Sequence, residues 1–69
     1  MTRSPLGNQV RRLRFEHGEM TQQDLARRVG CSRQTIILLE QGKYVPSLAL
    51  ALKIGEVFAM PVEDIFTLV

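Results

Sequence analysis

The residues best placed to do chemistry are an arginine and a glutamine side by side, Arg33 and Gln34, which open the segment RQTIILLEQ directly after Ser32. A guanidinium can donate two parallel hydrogen bonds to guanine O6 and N7, and a primary amide can pair with N6 and N7 of adenine. Each good pair discriminates against the wrong base by about 1–3 kcal/mol. We therefore interpret Arg33 and Gln34 as base-reading candidates, provided that a helix holds them outward.

The segment that begins at Arg33 divides into two faces when it is wound into a helix at about 100° per residue. One face, which we expect to meet the core, carries Thr35, Ile36, Leu39 and Glu40. The contact face carries Arg33, Gln34, Ile37, Leu38 and Gln41. Ile37 and Leu38 are apolar on the contact face, so they meet either thymine methyl groups, as further base readers, or a neighbouring helix or subunit.

Two short helices joined by a tight turn, over residues 21–42, would position that face. Thr21 is a suitable N-cap, and Asp24 in the first turn comes close to a capping box. Gly30 suits the left-handed position that ends a helix, and Ser32 is an N-cap for the next one. No proline or glycine then interrupts the second helix before Gly42 closes it.

Residues 21–47, TQQDLARRVGCSRQTIILLEQGKYVPS, resemble the helix-turn-helix of the phage-repressor and Cro-like family, also called the XRE family of bacterial regulators. The shared features are the Thr-Gln start, the Leu-Ala pair, the glycine at the turn, the Ser-Arg-Gln-Thr-Ile opening and the Leu-Glu-x-Gly-Lys close. The likeness extends from about Leu6 to Phe66. It implies an all-α fold, a compact five-helix bundle of the lambda-repressor-like kind. The function it implies is sequence-specific binding to double-stranded DNA by a transcriptional regulator, expected to be a repressor.

A set of phosphate-contacting residues is expected around the base-reading positions. The first helix of the motif presents its N-terminus to the DNA backbone. The resemblance implies that the loop after the second helix also touches phosphate. The alternative is a solvated Lys43 and a Tyr44 packed on Pro46. The expected set is Thr21, Gln22, Gln41, Lys43 and Tyr44.

A structural ion pair is predicted between Arg14 and Glu40. A first helix from about Asn8 to Glu16 places Arg14 beside its core face, and Glu40 lies on the core side of its own helix. Either charge would be costly to bury alone. The resemblance agrees, since the family's Ile-x-x-Leu-Arg arginine falls on Arg14 and its Leu-Glu glutamate on Glu40. The pair is either purely architectural or also aims Arg14 at a DNA phosphate.

The rest of the chain is expected to supply support and a dimer contact. An apolar helix from Leu48 to Phe58 should be central, and a short fifth helix is predicted over residues 62–66. Residues 1–7 are expected to be a loose arm from which Arg3 meets phosphate. Apolar residues near the chain end predict a dimerising tail in 62–69 and a symmetric homodimer on a pseudo-palindromic operator, with recognition helices about 34 Å apart. The dimer contact is assigned to Phe66, Leu68 and Val69.

Composition and charge argue against several other classes of protein. A chain of 69 residues, 45% hydrophobic, has room for one domain, residues 1–69. Eight basic and four acidic residues precede Pro46, against one and three from there on, so the basic half contains the motif. That distribution suits a polyanionic partner. No run approaches the roughly 20 apolar residues of a membrane span, so we expect a cytoplasmic protein without membrane contact.

No catalytic or metal-binding constellation is visible, so we expect no enzyme activity, no cofactor, no metal and no small-molecule ligand. The single Cys31 is either a redox-sensing thiol before a helix N-terminus or a small apolar turn residue. His17 could suggest metal or pH sensing, against a helix-end residue at the C-terminal dipole. The alternative is that the protein is an interaction module, such as the antitoxin of a toxin–antitoxin pair, which binds a partner protein through Ile37 and Leu38.

Overall fold

A computed structural model describes residues 6–68, where two short strands flank five helices. The elements are β1 (Leu6–Asn8), α1 (Val10–Glu16), α2 (Gln22–Val29), α3 (Arg33–Glu40), α4 (Leu48–Phe58), α5 (Val62–Ile65) and β2 (Phe66–Leu68). The predicted five-helix fold is confirmed, with one small ribbon added. The longest helix has 11 residues, and none of the helices within 6–68 could cross a membrane. Arg3 and Val69, which carry two of the sequence-based predictions, lie outside the described residues.

Helices α2 and α3 begin where the sequence predicts because local hydrogen bonds satisfy their first backbone groups. The Thr21 hydroxyl accepts the backbone N–H of Asp24 at 3.0 Å, and the Asp24 carboxylate accepts that of Thr21 at 3.5 Å, which completes a capping box. Gly30 ends α2 at a φ of 75°. Ser32 then caps α3 by accepting the N–H of Thr35 at 3.1 Å.

The two ends of the described chain pair as an antiparallel ribbon that was not predicted. Leu6 lies opposite Leu68, Gly7 opposite Thr67, and Asn8 opposite Phe66. Leu6 and Gly7 therefore belong to a strand rather than to a loose arm, and α1 starts at Val10 instead of Asn8. The fifth helix likewise stops at Ile65, because the Phe66 backbone is extended, with φ −113° and ψ 129°.

The core draws apolar side chains from all five helices and from β2. Helix α2 contacts both α3 and α4, and α5 contacts α4 and β2. The core residues are Val10, Leu13, Met20, Leu25, Ala26, Val29, Ile36, Leu39, Leu50, Ala51, Ile54, Phe58, Ile65 and Phe66. Phe66 is only 8% exposed, because the ribbon places its ring in the protein's own core, and this burial argues against its predicted role in a dimer contact. Leu68 extends beyond the core and is 82% exposed.

Helix α4 is buried along one face, whereas the sequence predicts an apolar helix at the centre of the fold. Leu48 and Leu52, one turn apart, are 72% and 52% exposed. Gly55 lies on the buried face, where a Cβ atom would stand 2.8 Å from the carbonyl oxygen of Met60. The chain can therefore turn from α4 into α5 at this short distance only because Gly55 has no side chain.

The connection between α1 and α2 returns the chain to the core through two consecutive left-handed residues. Gly18 has a φ of 77° and Glu19 a φ of 54°, and Met20 after them is buried. His17 ends α1, where its Nδ1 donates to a carbonyl oxygen of that helix at 2.8 Å. Its ring packs edge-on against Phe58, with centroids 5.0 Å apart. These contacts favour the interpretation of His17 as a helix-end residue over a role in metal or pH sensing.

Candidate nucleic-acid interface

Helix α3 has one buried and one accessible face, as the sequence predicts. Ile36 and Leu39 are fully buried, and they hold the helix against the core. Arg33 and Gln34 lie exposed in its first turn. Ile37 and Leu38 are half-buried along its sides, and Gln41 after its last turn is exposed. The guanidinium and the amide therefore project outward from a helix that is fixed from behind.

A groove of about 580 Å³ runs beside Arg33, between α1, the start of α2 and α3. Gln22 and Gln23 line it from α2, and Ile37 lines it from α3. Arg11 and Phe15 line it from α1. Because three elements meet here, side chains from distant parts of the sequence form one surface next to the base-reading candidates.

The Arg14–Glu40 ion pair that the sequence predicts is present beneath this groove. Arg14 Nε donates to Glu40 Oε2 at 2.6 Å and Nη2 donates to Oε1 at 3.0 Å, and the two side chains are 8% and 7% exposed. Nη1 donates to the carbonyl oxygen of Met20 at 2.8 Å. All three guanidinium nitrogens thus bond within the protein, which favours the architectural role over a phosphate contact.

The same carboxylate ties α2 to α3. Gln22 Nε2 donates to Glu40 Oε1 at 3.1 Å, so the first residue of α2 is bonded to the last residue of α3. At the start of α2, hydrogen bonds to Thr21, from its side chain first and its backbone second, hold the pKa of Asp24 below its usual value. Arg27 lowers that pKa further through an ion pair of 2.8 Å. The Asp24 carboxylate is therefore ionised at neutral pH and partly neutralised by its neighbour.

The predicted phosphate-contacting residues do not all lie on one surface. Thr21, Gln22 and Gln41 border the groove. Lys43 is exposed in the loop after α3. Tyr44, in contrast, faces a separate crevice between the α2–α3 turn and the start of α4. The groove therefore unites three of the five members, and Lys43 and Tyr44 lie outside it.

Cys31, in the turn between α2 and α3, lacks the environment of a reactive thiol. Its side chain is half-buried against the core, and burial raises the pKa of the thiol. A redox-sensing cysteine needs the opposite shift, because the thiolate is the reactive form. The structure therefore favours the other interpretation, in which Cys31 is a small apolar residue of the turn.

Three residues at or near the groove were missed by the sequence reasoning. Arg11 and Phe15 are four residues apart on α1, a spacing that puts both on one helix face and could have identified them. Asn8 connects β1 to α3: its Nδ2 donates to the Leu39 carbonyl at 2.9 Å, and its Oδ1 accepts the Val10 N–H at 3.2 Å. No local signal could reveal a contact between residues 31 apart.

Comparisons with known proteins agree with this geometry. Residues 5–66 match a family model described as a helix-turn-helix domain. The uncharacterized HTH-type transcriptional regulator MJ0272 of Methanocaldococcus jannaschii is 52% identical over 59 residues, which cover 86% of this chain and 88% of that relative. The uncharacterized HTH-type transcriptional regulator YgzD of Bacillus subtilis is 49% identical over 61 residues, 88% of this chain and 91% of that relative.

Proposed function

Since the chain belongs to the helix-turn-helix domain family and is a DNA-binding transcriptional regulator, we propose that it reads one operator sequence through α3 and represses transcription by occupying it. The observation that carries this proposal is the exposure of Arg33 and Gln34 in the first turn of a helix whose opposite face is buried. Such a helix can enter the major groove with its first turn against base edges.

Base reading is assigned to the exposed and half-exposed side chains of α3. Arg33 donates to O6 and N7 of a guanine, and Gln34 pairs with N6 and N7 of an adenine. Ile37 and Leu38, which are half-buried at the sides of the helix, pack their remaining surface on thymine methyl groups. Polar and apolar contacts together would then specify several neighbouring base pairs in one half-site.

Phosphate contacts surround these positions and set the register of α3 on the duplex. Thr21, Gln22 and Gln41 contribute from the groove beside α3, where the positive end of the α2 helix dipole favours an anion. Lys43, exposed in the following loop, and the partly exposed Tyr44 contribute from the other end of α3. The excess of basic residues before Pro46 supports this arrangement.

Two copies act together in this proposal, with one α3 in each of two successive major grooves about 34 Å apart. The protein measures 33 Å along its longest axis, so copies at that spacing can touch when their long axes lie along the duplex. Leu68 is 82% exposed and apolar, which supports a contact through the tail. The operator is then a pseudo-palindrome.

Selection of bound sequences from a random DNA pool tests the proposed reading of bases. Arg33→Ala should relax the preference at one position of the half-site, at a cost of about 1–3 kcal/mol for the preferred base. Lys43→Gln should weaken binding to all sequences alike and lower the salt slope by about one. The difference between the two variants separates base reading from phosphate contact.

Two results would contradict the proposal. Equal effects of Arg33→Ala and Lys43→Gln on every sequence would refute the separate roles. A pool from which no sequence is selected, together with a protein partner that co-purifies from the source cells, would favour the protein-interaction module. In that case Ile37→Ser and Leu38→Ser should abolish the co-purification.

A further inference from the structure

Phe15 is an exposed aromatic ring with an unusual environment. It lies at the side of α1 that faces the groove, and 52% of its surface is exposed. The guanidinium carbon of Arg11 lies 5.9 Å from the ring centroid, and that of Arg14 lies 5.6 Å away. Both distances fall in the range where a ring attracts a cation. The ring therefore rests between a buried guanidinium and an exposed one.

Arg11 is the exposed guanidinium, and it has no carboxylate partner among residues 6–68. Its neighbours on or near the same face are paired differently: Arg14 with Glu40 at 2.6 Å, and Arg12 with Glu16 at 3.5 Å. An exposed arginine held by a ring but not neutralised by an acid is available to an anion. Within residues 6–68, the charge of Arg11 is therefore balanced by no carboxylate.

The position of Arg11 limits which anion it can meet. Arg11 lines the same groove as Arg33 and Gln22, yet it comes from α1, which supplies no base reader. If α3 lies in the major groove of a duplex, the sugar-phosphate backbone that borders the major groove runs along the rim of the protein groove. A planar guanidinium matches a phosphate in geometry and charge.

We propose that Arg11, held in place by the Phe15 ring, contacts a DNA phosphate at the α1 side of the groove, beyond the phosphates met by Gln22 and Lys43. The ring restricts the guanidinium before binding, so less side-chain freedom is lost when the contact forms. This inference rests on the proposed function, because it needs a duplex bound through α3.

Salt-dependent binding to the duplex that the wild-type protein selects tests the proposal. Arg11→Gln should lower the slope of log K against log salt by about 0.9 and reduce affinity about tenfold at roughly 100 mM salt. Arg11→Lys should keep the slope. Phe15→Leu should also keep the slope while reducing affinity about two- to fivefold, because the charge remains and only its placement is lost. None of the three should change the selected sequence.

Arg28→Gln is the matched control, since it removes the same charge from an exposed arginine near the C-terminal end of α2, in a crevice shared with α4. Its salt slope should equal that of the wild type. Equal slopes for Arg11→Gln and Arg28→Gln, measured on a duplex that the wild type does select, would overturn the Arg11 contact and leave the proposed function intact. A wild type that selects no sequence would overturn both.

Discussion

Breaking the Arg14–Glu40 ion pair by one substitution should cost far more stability than removing both charges. Glu40→Gln preserves the side-chain shape but leaves a guanidinium, 8% exposed, without a counter-charge. Removing one partner of a buried pair typically costs about 3–5 kcal/mol, because the remaining charge is desolvated and uncompensated. Replacing both charges with apolar groups of similar size is often neutral or stabilising.

The hydrogen bonds that remain around the pair determine where in the range of about 3–5 kcal/mol each single variant falls. After Glu40→Gln, Arg14 keeps the Met20 carbonyl at 2.8 Å and gains a neutral amide oxygen, so we expect a loss of about 3 kcal/mol. Arg14→Met leaves the carboxylate with the Gln22 amide at 3.1 Å, and we expect about 4–5 kcal/mol. A domain of this size is stable by only about 3–10 kcal/mol. Each single change should therefore populate the unfolded state, whereas Arg14→Met with Glu40→Leu should fold within about 1 kcal/mol of the wild type.

Urea unfolding followed by circular dichroism measures these losses of stability as shifts of the urea midpoint, provided that the slope m of the unfolding free energy against urea concentration stays constant. The wild type, Arg14→Met, Glu40→Leu and the variant with both substitutions form a double-mutant cycle that isolates the coupling between the two side chains. Arg12 and Glu16 give a matched control: they form an ion pair on the same helix, 3.5 Å apart, with side chains 61% and 55% exposed. The equivalent cycle at Arg12 and Glu16 should yield at most about 0.5 kcal/mol.

A small coupling would refute this reasoning. If Glu40→Gln costs no more than Glu16→Gln, or if the losses from Arg14→Met and Glu40→Leu simply add in the double variant, then burial does not govern the energetics of this pair.

Three further outcomes are expected. Gly55→Ala should destabilise the protein by about 1–3 kcal/mol in urea, since the new methyl group would lie 2.8 Å from the Met60 carbonyl; an unchanged midpoint would contradict the close approach. Asp24 has a lowered pKa when folded, so its contribution is present above the unfolded value of about 3.9 and is lost as pH falls through the folded pKa. Asp24→Asn should therefore flatten the acid side of a plot of melting temperature against pH, and an unchanged profile would be evidence against the capping role. Leu68→Ser should reduce two copies per duplex to one in sedimentation, whereas the equally apolar and exposed Leu48→Ser should not; the reverse pattern would place the contact on α4.

Local features of the sequence were enough to locate α2, the turn and α3. Thr21, Asp24 and Ser32 cap helices through hydrogen bonds that span three residues, and Gly30 ends one by its own backbone conformation. Such interactions depend on near neighbours only, so residue types and spacing suffice to predict them. Periodicity alone likewise placed Ile36 and Leu39 inward.

The Arg14–Glu40 pair required more than spacing. Helical periodicity put each charge near a core face, and the cost of a buried lone charge then argued that they meet. The resemblance to repressor sequences supported the same two partners. Sequence reasoning did not include the Gln22 amide or the Met20 carbonyl in the same network, because those contacts depend on how α1, α2 and α3 are packed.

The sequence by itself determined which segments are helical and which side of α3 is available for contact, because these properties follow from neighbours within one or two helical turns. Only the tertiary structure decided that Leu6 pairs with Leu68, that Phe66 belongs to the core, and that α1 adds an arginine and an aromatic ring to the groove beside α3. Strands of three residues have no periodicity strong enough to predict. Their pairing depends instead on where the packed helices bring the chain ends, which is a property of the whole fold.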